Sequence, residues 1–120
     1  MSDTQKTRIE AVLAYFNSLE NRSIQISEQL CFDPQRAWDR HCTLVNRLSF
    51  EVQRVGWQMS GGHLYLWGAE MQYGFFSGHL VAFEQQENGA ELIEHLSDAL
   101  WRKTRINNRM GLLPAPSRDE

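Results

Sequence analysis

Histidines, cysteines and carboxylates are the side chains of this sequence best suited to chemistry. His63 and His79 open two apolar, strand-like runs and could approach each other, with Glu70, Glu84 or His95 as further ligands of a metal ion. No HxH, HxxxH or HExxH spacing occurs, so a structural or surface role is the expectation, with no metal and no cofactor assigned. His41 beside Cys42 has the composition of a thiol nucleophile with its base. Its surroundings read as helix, however, where adjacent side chains point about 100° apart. Cys31 and Cys42 are the only cysteines, and their spacing matches neither a CxxC motif nor a zinc knuckle. Two part-buried thiols are expected, since a disulfide would need an oxidising compartment to which nothing else in the sequence points. Gly61, Gly62, Gly68, Gly74 and Gly78 form neither GxGxxG nor a P-loop and read as turn and strand-kink glycines. No catalytic residue is assigned.

The second chemical possibility is phosphate binding. Arg102, Lys103, Arg105 and Arg109 follow Trp101 closely, which could grip a nucleic-acid backbone while the indole stacks on a base. The same cations are what the C-terminal end of a helix attracts. Twelve basic against fifteen acidic residues give a net charge of −3, so no global attraction to phosphates exists.

The third feature is an excess of aromatics: four Trp, three Tyr and six Phe in 120 residues are more than one small sheet readily hides. From His63 to Trp67, Leu64 and Leu66 alternate with Tyr65 and Trp67, which gives one aliphatic and one aromatic face. Helices on one side only would leave Tyr65, Trp67, Tyr73 and Phe75 as an exposed contact surface.

The elements that must position these groups follow from periodicity. Residues 4–20 place Ile9, Val12, Leu13, Phe16 and Leu19 at helical spacing, and Asn21-Arg22-Ser23 ends that helix. Residues 24–32 read equally as a short strand, on Ile24 and Ile26, or as a helical turn. Asp33-Pro34 has the form of an N-cap followed by the first helical position. Trp38, Val45 and Val52, interleaved with His41, Leu48 and Val55 and widened by Ala37 and Leu44, make a heptad seam that would end at Gly56. The competing strand, with Leu48, Phe50 and Val52 alternating against Ser49 and Glu51, is set aside because the seam continues through Val55. Residues 63–67, 71–76 and 80–83 then form a three-stranded antiparallel meander, joined by connections too short for a parallel crossover. After Asn88-Gly89, Leu92, Ile93, Leu96, Ala99, Leu100 and Lys103 trace one face of a final helix whose acidic start and basic end suit its dipole.

The expected protein is therefore one α+β domain over residues 1–113, with two N-terminal helices, a three-stranded meander and a C-terminal helix packed on the sheet. Residues 114–120 read as a flexible tail. The 42% hydrophobic and 22% charged composition is that of an ordinary globular domain, and no run approaches a membrane span or a signal peptide, so a cytoplasmic protein is expected. The absence of a catalytic signature favours a non-enzymatic protein–protein interaction module, in the general style of small adaptors, inhibitors and phage- or plasmid-borne antagonists. Its contact surface would be the aromatic sheet face or the Trp38 seam, with a homodimer as one form of that contact. A nucleic-acid-binding protein is the alternative, and an enzyme or small-ligand binder with His63, His79 and Glu84 around a pocket over the sheet is third.

Overall fold

The computed structural model describes residues 3–32, 42–58 and 62–108, and in this region the protein is mostly β. Helix α1 (Asp3–Asn17) is followed by strands β1 (Ser23–Cys31), β2 (Cys42–Glu51), β3 (Arg54–Gln58), β4 (His63–Trp67), β5 (Gln72–Phe76), β6 (Leu80–Gln86), β7 (Gly89–Ser97) and β8 (Leu100–Asn107), with a single 3-10 turn at Ser77–His79. One antiparallel sheet has the order β2-β1-β8-β7-β6, the other β3-β4-β5.

The two sheets share a chain path. Only Val52 and Gln53 separate β2 from β3, and both are held in place. Val52 donates its N–H to Arg22 and accepts from Asn21, while the Gln53 N–H is donated to the Trp67 carbonyl. The chain thus leaves one sheet and enters the next without a loop, and the strands form a curled, up-and-down array whose open ends are β5 and β6.

Helix α1 forms as its sequence demands. Ile9, Val12, Phe16 and Leu19 are buried on one stripe together with Tyr15, and Asn21 at φ 67° turns the chain into β1. Phe16 meets Phe75 with ring centroids 5.3 Å apart and Tyr15 meets Phe83 at 6.0 Å, so the helix packs on both sheets at once. Gln5 donates to the Ser77 carbonyl and Arg8 to that of Leu80, which ties the helix to the junction between β5 and β6.

Three expectations are corrected. The helix ending at Gly56 is not formed: residues 42–51 are strand β2, whose Leu48 and Phe50 stand opposite Ile26 and Ile24 of β1. Trp38 and His41, the start of the supposed seam, lie outside the described residues. The C-terminal helix is instead the β7–β8 hairpin, turning at Ser97–Leu100. Its inward positions are Ala90, Leu92 and Glu94 on β7 and Arg102, Thr104 and Ile106 on β8, so an alternating pattern exists but two of its core positions carry charge. The three-stranded meander exists with a different membership, because β3 joins β4 and β5 while residues 80–86 pair with β7. Residues 24–31, undecided from sequence, are strand, with Ile24 and Ile26 buried on one face. The tail at 114–120 lies outside the described residues.

The charged core positions join the sheets. Glu94 is fully buried. Its carboxylate takes Arg102 Nε at 2.7 Å on one oxygen and Arg102 Nη2 at 2.9 Å on the other, and the second oxygen also accepts the Phe76 N–H at 2.7 Å. Arg102 further donates to Glu28 of β1 and to the Gly74 carbonyl, both at 3.0 Å. Gly74 and Phe76 belong to β5, at the end of the smaller sheet, so the ion pair satisfies backbone groups that a fourth strand of that sheet would otherwise have bonded. The guanidinium lies 5.6 to 5.9 Å from the rings of Tyr73, Phe75 and Phe76. Burial alone would push Arg102 down, but its hydrogen bonds and attraction to Glu94 outweigh that and hold it above its ordinary range.

Two stability predictions follow from this core. Removing one partner, as in Glu94→Ala, strands a buried charge and the Phe76 N–H. It should cost about 3–5 kcal/mol in urea unfolding, and Glu94→Leu with Arg102→Met together should cost less than the sum of the single changes. Burial pushes the Tyr15 phenol up to about 12, only partly offset by the hydrogen bond from Asn108 and by Arg22, and burial also raises Tyr73 despite its Thr104 partner. A phenol whose folded-state pKa lies above its unfolded value gives full stability below pH 10 and loses it as pH rises toward the folded value. The urea midpoint should therefore fall above pH 10, with each phenol contributing about 1.4 kcal/mol per pH unit, and Tyr15→Phe should flatten that fall.

Candidate functional site

Alternation on the smaller sheet decides which aromatics reach its surface. Leu64 and Leu66 of β4 pair with Phe75 and Tyr73 of β5 and face the core, so Tyr73 and Phe75 are buried and form no exposed surface. The outward rows are Arg54–Trp67–Gln72, Gly56–Tyr65–Gly74 and Gln58–His63–Phe76. Tyr65 and Trp67 stand on this face, as alternation predicts, joined by His63 and Phe76.

These side chains stack into a continuous row. Arg54 lies 4.4 Å over the Trp67 ring, which is 4.9 Å from Tyr65; Tyr65 is 5.5 Å from His63, and His63 is 5.0 Å from Phe76. The glycines make room for it: a Cβ on Gly56 would come within 2.8 Å of the Trp67 ring, and Gly74 lies beneath Tyr65. The row does not stop at the sheet's end. Phe76 meets His79 edge-on at 5.8 Å, and His79 Nδ1 is 2.9 Å from the carbonyl oxygen of His95. His95 in turn stacks flat on its cross-strand partner Trp101, with centroids 4.5 Å apart and planes within 6°. Phe32 follows Cys31, the β1 partner of Trp101, and is 61% exposed. A belt of rings thus runs over the outer surface of both sheets from Arg54 to Trp101.

The belt brings His63, His79 and His95 onto one surface. Phe76 lies between the first two, and among the described residues no group of three His, Cys, Asp or Glu side chains converges on a point. Glu84 stands beside Glu91 on the outer face of the larger sheet, and Glu70 is exposed between β4 and β5. Sequence reasoning missed the pairing of His95 with Trp101 because both fell inside the expected helix, and it left Phe76, on the same strand face as Gln72 and Gly74, out of the contact surface.

The basic cluster is dispersed. Arg102 points inward to Glu94 and Glu28, while Arg105 is bonded through Nε and Nη2 to Glu91 on the neighbouring strand. Trp101 is buried against His95. Lys103 shares the outer face with Ile93, and Arg109 lies outside the described residues. A cleft of about 350 Å³ opens at the β6–β7 turn, lined by Gln86, Glu87, Asn88, Arg105 and Asn107. It lies apart from the belt and gathers none of the histidines.

No helix among the described residues is long and apolar enough to cross a membrane. No family model, no curated protein and no solved structure matches the chain.

The close fit over Gly56 gives a direct check on the belt. Gly56→Ala should displace the Trp67 indole while costing no more than about 1–3 kcal/mol, and near-ultraviolet circular dichroism should lose intensity from the Tyr65–Trp67 pair. An unchanged spectrum would mean that the rings do not stack in solution.

Proposed function

We propose that the protein is a non-enzymatic contact module that binds another protein through the aromatic belt. The observation that carries this reading is how the rings are used. Tyr65 stacks with His63 and meets Trp67 at a tilt, and Arg54 lies over the Trp67 ring, so these rings already spend part of their faces on one another. A base or a sugar would need a free face on which to stack. The Tyr65 hydroxyl, bonded to Gln58, is exposed on this face. Tyr, Trp and Arg in such an arrangement are the residues that dominate protein–protein contacts.

Size supports the whole belt rather than the small sheet alone. Three five-residue strands cover only about 15 × 17 Å, well below the roughly 800 Å² per partner of a stable interface. Extension through Phe76 and His79 to His95, and to the exposed Phe32, supplies further area. The nucleic-acid reading loses support from the same side chains that suggested it, since Arg102 and Arg105 are engaged by carboxylates.

The test is affinity capture from the native cell with quantitative mass spectrometry, comparing the wild type with Tyr65→Ala/Trp67→Ala and with Arg105→Ala. A protein retained by the wild type and by Arg105→Ala, but reduced at least tenfold by the double change, is the expected outcome. Light scattering on the purified chain separates a second copy from a different partner. Equal capture by all three forms would sink the proposal, as would binding of an oligonucleotide that weakens with Arg105→Ala.

A further inference from the structure

We propose that Cys31 and Cys42 are a dithiol–disulfide couple that locks the β1–β2 hairpin, with a low-molecular-weight disulfide such as oxidised glutathione as oxidant. The inference starts from register. Cys31, the last residue of β1, stands directly opposite Cys42, the first residue of β2. Ten residues of sequence separate them, but the antiparallel pairing brings their backbones side by side.

Opposed positions in an antiparallel pair are of two kinds, and only one favours a cross-strand disulfide. At hydrogen-bonded positions the Cα atoms stand about 5.5 Å apart, and at non-hydrogen-bonded positions about 4.5 Å with closer side chains. The kind at Cys31 can be read from the ends of the strands. Val52 donates to the Arg22 carbonyl, so Arg22 and the even-numbered residues of β1 direct their backbone groups toward β2. Asn108 donates to the Asn88 carbonyl, so the even-numbered residues of β8 bond to β7 and the odd-numbered ones to β1. Cys31 pairs with Trp101 and Gln29 with Lys103, so the odd-numbered residues of β1 bond to β8. Both routes agree. Cys31 turns its N–H and C=O to β8, and its pairing with Cys42 is of the close, non-hydrogen-bonded kind. A Cα separation of about 4.5 Å lies inside the range a disulfide accepts, roughly 4.4–6.8 Å. The irregularity of this hairpin falls earlier, between Glu28 and Gln29, and leaves the two cysteines in register.

Burial sets the order of events. Cys31 has no exposed surface, which bars an external disulfide from attacking it first. The Cys42 thiolate attacks one sulfur of oxidised glutathione, that S–S bond breaks, and one glutathione leaves as its thiolate. The Cys31 thiolate then attacks the mixed disulfide and displaces the second glutathione. Two cysteine protons are released to the two departing thiolates, and the two electrons lost by the cysteines are gained by the glutathione disulfide. The product bond lies on the cross-strand position next to Trp101, at the end of the aromatic belt.

The experiment is intact-mass spectrometry of the full, purified chain after incubation with oxidised glutathione at about 1 mM, followed by acid quench and thiol alkylation. The expected wild-type product is a monomer lighter by two hydrogens that accepts no alkylating agent. Cys31→Ser should stop at a stable glutathione adduct on Cys42, and Cys42→Ser should react at least tenfold more slowly than Cys31→Ser. A wild type that remains fully alkylatable, that retains glutathione on either cysteine, or that forms disulfide-linked dimers overturns the proposal. So does a Cys42→Ser variant that forms the adduct as fast as Cys31→Ser.

Discussion

A charged pair stands where a strand would be expected. Arg102 and Glu94 reach from the inner face of the larger sheet to the open side of β5, where one accepts an N–H and the other donates to a carbonyl. The curled array is thereby joined across its gap without a further strand. Everything on the interior side of the smaller sheet, including Phe75 against Phe16 of the helix, depends on β5 being held at that distance. Glu28 completes the arrangement from β1, so three strands of one sheet converge on one strand of the other.

Such a pair is a costly way to fill a core. Taking two ions out of water consumes most of the attraction between them, and a well-packed apolar substitute is often as stable. The pair does supply direction. A guanidinium and a carboxylate recognise one N–H and one carbonyl in fixed geometry, so a slip of β5 by one residue would leave each ion short of one partner and both backbone groups unsatisfied. The surrounding rings of Tyr73, Phe75 and Phe76 exclude water, which makes that penalty for misregister larger.

This pair also explains how much of the fold was legible beforehand. Helix α1 was readable because its apolar stripe is unbroken, and β4 because Leu64 and Leu66 alternate cleanly with Tyr65 and Trp67. The hairpin of β7 and β8 was not. Its core face reads Ala-Leu-Glu on one strand and Arg-Thr-Ile on the other, so the strongest marks of alternation are replaced by charges. Glu, Leu, Ala and Lys are also good helix formers, and their local preference is overridden by pairing with distant strands. Around β2, an apolar recurrence of seven residues masked an alternation of two, because Leu48 and Val52 belong to both patterns. Of the aromatic belt, the half on β4 could be seen from sequence. The half built on His79, His95 and Trp101 could not, since it depends on which strand ends meet.

The position of β8 has a consequence for how the chain comes into being. This last described strand lies between β1 and β7 in the larger sheet, and its residues 101–107 pair with residues 25–31, 70 to 82 positions earlier. Loops of that length close slowly compared with hairpins. During synthesis, β1 and β2 can pair early, and so can the meander of β3, β4 and β5. The centre of the larger sheet stays open until residue 107 has left the ribosome, and until then β1 presents a bare edge and the helix a partly uncovered stripe. Glu94 is made before its partner and must wait, unpaired, for the eight residues that bring Arg102. The larger sheet therefore cannot be completed by any shorter stretch of the chain, because the strand that joins β1 to β7 is β8.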